Sequence, residues 1–185
     1  MIVKSAIMLL VIMMRILVVS DIHGACEELT TLLEKERFDK LIILGDLFSY
    51  GYYQSKQTEN DIEKLLIDNK SKLILIRGNY DVSAKVDALG IRTFDTVTLP
   101  LNGQLVTLTH GNRYKKGLLP PNHGNIFFFG HTHVPCLIKE RNIIYANPGS
   151  LGVPRNGSIS GYIIFNDDKI TLKNISGQKI SEMKL

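Results

Sequence analysis

Arg15-Ile16-Leu17-Val18-Val19-Ser20-Asp21-Ile22-His23-Gly24 is the stretch from which the rest of the chain is read. Its apolar run has the pattern of a buried strand, and it stops in a carboxylate and an imidazole two positions apart, followed by glycine. Beyond it, Ala25, Leu29, Leu32 and Leu33 recur at i, i+4, i+7 and i+8, one face of an amphipathic helix. Lys40-Leu41-Ile42-Ile43-Leu44 is a second strand, so the chain opens as a βαβ unit with parallel pairing. Reactive groups in open α/β sheets gather at the carboxyl ends of strands. A single Asp-x-His is as readily a cap or a structural hydrogen bond; the later strand ends decide what it means.

The second strand ends in Gly45-Asp46. A polar loop over 48–60 and a helix carrying Ile62, Leu65 and Leu66 lead to a third strand, Leu73-Ile74-Leu75-Ile76, which ends in Arg77-Gly78-Asn79-Tyr80-Asp81. From there strands dominate. Thr96 to Leu99 and Gln104 to Thr109 flank Asn102-Gly103, a pair suited to the positive φ values of a tight hairpin turn, and the second of them runs into His110-Gly111. Ile126 to Phe129 ends in Gly130-His131-Thr132-His133, and four further short strands follow, at 135–139, 143–146, 161–165 and 169–173. The predicted fold is α/β: a four-layer α/β/β/α sandwich of two mixed β-sheets flanked by helices.

With 185 residues, 44% hydrophobic and 22% charged, the chain has the size and composition of one folded domain. Its net charge of +4 is spread through the sequence, which predicts a mildly basic surface and no specific binding of a nucleic-acid duplex. Cys26 and Cys136 lack metal or redox spacing and are expected as free thiols in a cytoplasmic protein. Residues 1–13 form an apolar extension that imitates a signal peptide without a small-x-small cleavage site. Arg15 interrupts it short of the ~18 residues of a membrane span. It is read as the product of an upstream start, or else as an extra strand or a homo-oligomer contact, ahead of a single domain over 14–185.

Asp21, His23, Asp46, Asn79, His110, His131 and His133 thus all lie at or just past strand ends, and the set takes four of the five histidines in the chain. Clustered acids and imidazoles are costly to bury unless paired or metal-bound, so the set points to cations. Seven donors exceed the needs of one transition metal and suit two that share a carboxylate. Mixed oxygen and nitrogen donors favour Mn2+, Ni2+, Co2+, Fe or Zn2+ over Mg2+ or Ca2+.

Asp21-Ile22-His23, Gly45-Asp46, Gly78-Asn79, His110-Gly111 and Gly130-His131-Thr132-His133 resemble, in this order, the five blocks of the calcineurin-like metallophosphoesterase superfamily. Asn147-Pro148-Gly149-Ser150 extends the resemblance toward the small YfcE-type phosphodiesterases. The resemblance implies one metal on Asp21, His23, Asp46 and His133 and a second on Asp46, Asn79, His110 and His131, Mn2+ being the first expectation. It also implies hydrolysis of a small phosphodiester by a hydroxide held between the metals. Where many relatives follow the metal-binding asparagine with a proton-donating histidine, this chain has Tyr80. A phenol with pKa near ~10 is a weak general acid, which predicts a preference for acidic leaving groups such as aryl esters, with Tyr80 as a pocket wall otherwise.

Arg113, with Lys115 and Lys116, is a candidate contact to an anionic substrate, and Phe48, Tyr50 and Tyr114 are candidates to stack on it. His123 reads as a loop residue, Asp81 as the cap of a short helix, and Asn147 to Ser150 as a turn supporting the ligands. Rival functions are a non-catalytic scaffold, since this fold also serves a retromer subunit, and a nucleotide pyrophosphatase or phosphomonoesterase.

Overall fold

In the computed structural model, residues 13–48 and 55–185 are described. The apolar extension at 1–12 and Tyr50 lie outside them. Strands β1 (Ile16–Val19), β2 (Lys40–Ile43), β3 (Leu73–Ile76) and β4 (Thr93–Phe94) run parallel, linked by α1 (Cys26–Lys35), α2 (Lys56–Asp68) and the short α3 (Ser83–Asp87). Three antiparallel strands, β10 (Gly161–Phe165), β11 (Lys169–Asn174) and β12 (Lys179–Lys184), complete a seven-stranded sheet of order β12-β11-β10-β1-β2-β3-β4. The second sheet has the order β5-β6-β7-β9-β8, built from β5 (Thr96–Leu101), β6 (Gln104–Thr109), β7 (Ile126–Phe128), β8 (Cys136–Glu140) and β9 (Ile143–Asn147). It too is mixed, with β6, β7 and β9 parallel and both outer pairs antiparallel. The Asn102-Gly103 turn joins β5 to β6 with both residues at positive φ, 49° and 73°.

The period-two alternation of the strands separates the layers. Ile16, Val18, Ile42 and Ile76 face Val106, Leu108, Ile126 and Phe128 in the core between the sheets. Their alternates Leu17, Val19, Leu41, Ile43 and Leu75 pack on Leu29 and Leu32 of α1, Ile62 and Leu66 of α2 and Val86 of α3. Among the described residues, all three helices therefore cover the seven-stranded sheet. The outer layer of the other sheet is an irregular segment, whose Tyr114 and Leu119 pack on Phe127, Phe129 and Tyr145.

Ahead of β1, Met14 N–H donates to Asn102 Oδ1 at 2.9 Å while its carbonyl accepts from Asn102 Nδ2 at 2.8 Å. Arg15, next to it, reaches Glu36 Oε2 at 2.5 Å, and Glu36 Oε1 accepts from Tyr162 Oη at 2.6 Å and Lys173 Nζ at 3.0 Å. Glu36 thus ties the end of α1 to β10 and β11. Burial opposes its ionisation, but these three donors outweigh it and hold the carboxyl down at about 2. A carboxyl whose pKa is lower folded than unfolded stabilises the protein fully above its unfolded pKa, and loses that contribution as pH falls to its folded value. Glu36→Gln is expected to cost about 1–2 kcal/mol at pH 7 after allowance for solvent screening. The gap to wild type should close between the ordinary carboxylate range and about pH 2, as read from urea unfolding over a pH series.

Candidate metal centre

Parallel pairing turns the carboxyl ends of β1, β2 and β3 toward one edge of the first sheet, and that of β6 and β7 toward the same edge of the second. The loops that follow are hydrogen-bonded to each other: Asp21 N–H to Gly45 O at 3.0 Å, His23 N–H to Asp46 O at 3.0 Å, Gly130 N–H to His110 O at 2.7 Å. Asp21, His23, Asp46, His131 and His133 all sit at left-handed φ, between 45° and 64°. Each such position costs an L-residue roughly 1–2 kcal/mol, strain of the kind that collects at functional sites. Close approach adds a second constraint. A Cβ on Gly78 would stand 2.1 Å from Asp46 Oδ1, and one on Gly130 would stand 1.8 Å from Ser20 Oγ.

At this seam Asp21, His23, Asp46 and His133, all buried, each offer a donor atom, and these atoms lie within 4.8 Å of one another. Asp21 Oδ2 accepts from Ser20 Oγ at 2.6 Å and from His131 N–H at 2.9 Å. Its Oδ1 has no hydrogen-bond donor among the described residues although it is fully buried, and it faces His133 Nε2 at 3.2 Å. His23 Nε2 lies 3.2 Å from His133 Nε2. Asp46 Oδ1 accepts from Tyr80 N–H at 2.9 Å, while Oδ2 stands 3.3 Å from His110 Nε2 and 3.7 Å from His23 Nε2. His110 Nε2 also lies 3.0 Å from Asn79 Oδ1, and its ring is 5.1 Å from that of His131. All seven expected residues are brought together, Asn79 and His131 forming the more open side.

The imidazoles are oriented from behind. His133 Nδ1 donates to Val153 O at 2.6 Å and His110 Nδ1 to Leu44 O at 2.7 Å, which leaves each Nε2 directed at the carboxylates. Burial pushes the His23 imidazole below its ordinary pKa, opposed by Asp46 and Asp21. Burial works against a charged His110 as well, but its contacts with Asp46 prevail and raise it. Burial likewise opposes ionisation of Asp46, yet His110 and the Tyr80 N–H hold its carboxyl below the usual range. A bare carboxylate oxygen among imidazole lone pairs fits a divalent cation, which satisfies these groups without a proton.

Tyr80 lies at the rim, 44% exposed, with its ring 6.1 Å from that of His23. Arg113 lines a cleft of about 240 Å³ beside Asn79, together with Arg77, Gly78, Asp95 and Asn112. Of the two lysines that follow, Lys115 pairs through its backbone with Leu118, and the Lys116 side chain forms an ion pair with Glu140. Phe48 is buried under the helices and Tyr114 lies on the outer sheet face, so neither presents a stacking surface at the centre. Cys26 and Cys136 are free thiols. The turn at 147–150 supports the ligand loops, with Asn147 Nδ2 donating to Gly130 O at 2.9 Å and Ser150 Oγ to Asp21 O at 2.7 Å.

The expectation for Asp81 is corrected. Val82 is the cap residue of α3, with no side-chain cap bond, while the Asp81 carboxylate accepts from the N–H groups of Asp46, Leu47 and Gly78. Sequence signalled an acid before a short helix; it carried no signal that the partners lie in the loop after β2.

Known proteins resemble this chain in sequence and in fold. The chain is 30% identical to phosphodiesterase YfcE of Escherichia coli K12, over 91% of its own length and 96% of that protein. It superposes on the solved structure of E. coli YfcE, a phosphoesterase, with a TM-score of 0.82 at 26% identity, covering 92% of this chain and 99% of that one. A Vps29 structure from Entamoeba histolytica, 16% identical with a TM-score of 0.61 over 93% of this chain and 99% of that one, shares the fold. Residues 14–169 match the model of the calcineurin-like phosphoesterase superfamily domain, and the chain belongs to that superfamily.

Proposed function

We propose that the protein is a binuclear metal-dependent phosphodiesterase acting on small phosphodiesters. One divalent ion would be held by Asp21, His23, Asp46 and His133 and the other by Asp46, Asn79, His110 and His131, with Mn2+ preferred among Mn2+, Ni2+, Co2+, Fe and Zn2+. The observation that carries this reading is the convergence of carbonyl-oriented Nε2 atoms on two buried carboxylates, one with an oxygen lacking any donor. When bound, the ions supply Lewis acidity that activates water and offsets charge on the phosphoryl oxygens. The chain does the rest. Asp46, whose Oδ2 lies between His110 and His23, would be the shared donor, and Asn79 and His131 form the more open side.

Arg113 and Asn112, next to Asn79, are placed to hold a negatively charged part of the substrate. Tyr80, at the His23 side of the rim, hydrogen-bonds the leaving oxygen through its phenol, a donor too weakly acidic to protonate an alkoxide well. Esters with acidic leaving groups are therefore favoured. The retained donor set supports catalysis over a scaffold role, which needs no such buried charges. The similarity to the E. coli phosphodiesterase supports the diester class. No helix among the described residues is long and apolar enough to cross a membrane, and with its free thiols we assign the protein to the cytoplasm, as a homo-oligomer if the apolar extension supplies a contact.

Mn2+-reconstituted protein is expected to hydrolyse aryl phosphodiesters with higher kcat/KM than monoesters, cyclic nucleotides or dinucleoside polyphosphates. Chelation should abolish the activity, and Asp46→Asn should lower kcat by roughly 10²-fold or more. Full activity in the metal-free protein or in that variant would overturn the two-metal reading. Tyr80→His should raise the rate on an alkyl diester by about tenfold, and much less on an aryl diester. An unchanged alkyl rate with both metals retained removes Tyr80 from the proton path.

A further inference from the structure

Asp81 is 7% exposed and follows Asn79 by two residues. Its Oδ2 accepts from Asp46 N–H at 2.9 Å and Gly78 N–H at 2.8 Å, and its Oδ1 from Leu47 N–H at 2.8 Å. Among the described residues it has no ion pair with a lysine, arginine or histidine, so its charge is met by backbone dipoles alone. A buried carboxylate is a costly way to satisfy N–H groups, and many loops do so with a neutral side chain or water. What the carboxylate adds is two oxygens on one rigid plane, which can grip donors from two separate loops at once.

The three N–H groups belong to the loop after β2 (Asp46, Leu47) and the loop after β3 (Gly78). Gly45 takes φ +99°, which suits glycine, but Asp46 is held at φ +56°, a conformation unfavourable for an L-residue unless its neighbours hold it there. The same short segment also grips the Asp46 side chain, since Oδ1 accepts from Tyr80 N–H at 2.9 Å. With backbone and Oδ1 both tied, Oδ2 is the atom left between His110 and His23.

We infer that Asp81 is a positioning residue that staples the loops after β2 and β3, so that Asp46 presents one oxygen to two metal ions at once. The inference rests on the binuclear reading above. It differs from plain structural support in one respect: loosening the staple should separate the two metal sites before it unfolds the domain.

The test uses the full chain, stripped of metal and reconstituted with Mn2+, as wild type, Asp81→Asn and Leu29→Ala. Leu29 is buried in the helical layer, and its truncation lowers stability while leaving every hydrogen-bonding group of the staple in place. Asparagine would set an NH2 against a backbone N–H. Calorimetric titration of wild type should show two Mn2+ per chain, with the exchange-coupled electron paramagnetic resonance spectrum of a bridged pair. Asp81→Asn should weaken one of the two binding steps by about 10- to 100-fold and give the spectrum of isolated Mn2+ at matched loading. Leu29→Ala should lower the Tm while keeping the coupled spectrum. Should Asp81→Asn fail to fold, Asp81→Ser, whose small hydroxyl leaves room for a water, is read in the same way. Wild-type affinities and a coupled spectrum in the folded Asp81 variant would overturn the positioning role while leaving the binuclear reading intact. A wild type that binds a single Mn2+ would overturn both.

Discussion

The carboxylates of Asp21 and Asp46 are buried at the seam between two sheets, where ionised groups are expensive unless they are fully engaged. Much of the surrounding structure answers that cost. Ser20 and the His131 N–H serve one oxygen of Asp21, the Tyr80 N–H serves one oxygen of Asp46, and the remaining oxygens turn toward imidazoles. Each carboxylate is thereby half satisfied by the protein and half reserved. The reserved half is where the proposed cations would sit.

That engagement depends on close loop packing, and the packing depends on backbone conformations that are unfavourable in isolation. Five of the seven donor residues lie at left-handed φ, and Gly78 and Gly130 lie where no side chain fits. Such strain persists only when the surroundings over-determine it. Here the surroundings are two cores: the layer between the sheets, and the layer beneath α1, α2 and α3. The rigid strands bring the donors to one edge, and cross-loop hydrogen bonds such as those of Asp81 and Ser150 set their final positions.

The site is chemically lopsided. Its His23 and His133 side is buried and bordered by Tyr80, whereas the Asn79 and His131 side opens toward a cleft bearing Arg77 and Arg113. A diester bridging the centre would meet an aromatic edge on one side and guanidinium groups on the other. If the proposed function holds, this asymmetry is where substrates of one reaction class would be told apart.

Sequence alone determined the elements that local pattern controls. Short apolar runs place the β1, β2, β3, β6 and β7 strands, the 3.6-residue spacing places α1 and α2, and Asn102-Gly103 places a hairpin turn. The seven candidate ligands stand out for the same reason, each lying at or a few residues past the end of a strand that a short window can recognise. Other features depend on neighbours distant in the chain and left no local mark. β12 is a mostly exposed edge strand and β4 has two residues, so neither shows an apolar run. The outer layer over Phe127 and Tyr145 is irregular chain because it is defined by what it covers. Phe48 reads alike as a loop aromatic and as core, and Arg113 as one of three basic residues, until their surroundings are known. Asp81 reads as a helix cap because a carboxylate before a helix usually finds its N–H donors nearby. Only the tertiary structure, by laying the loop after β2 across the loop after β3, supplied it with nearer ones.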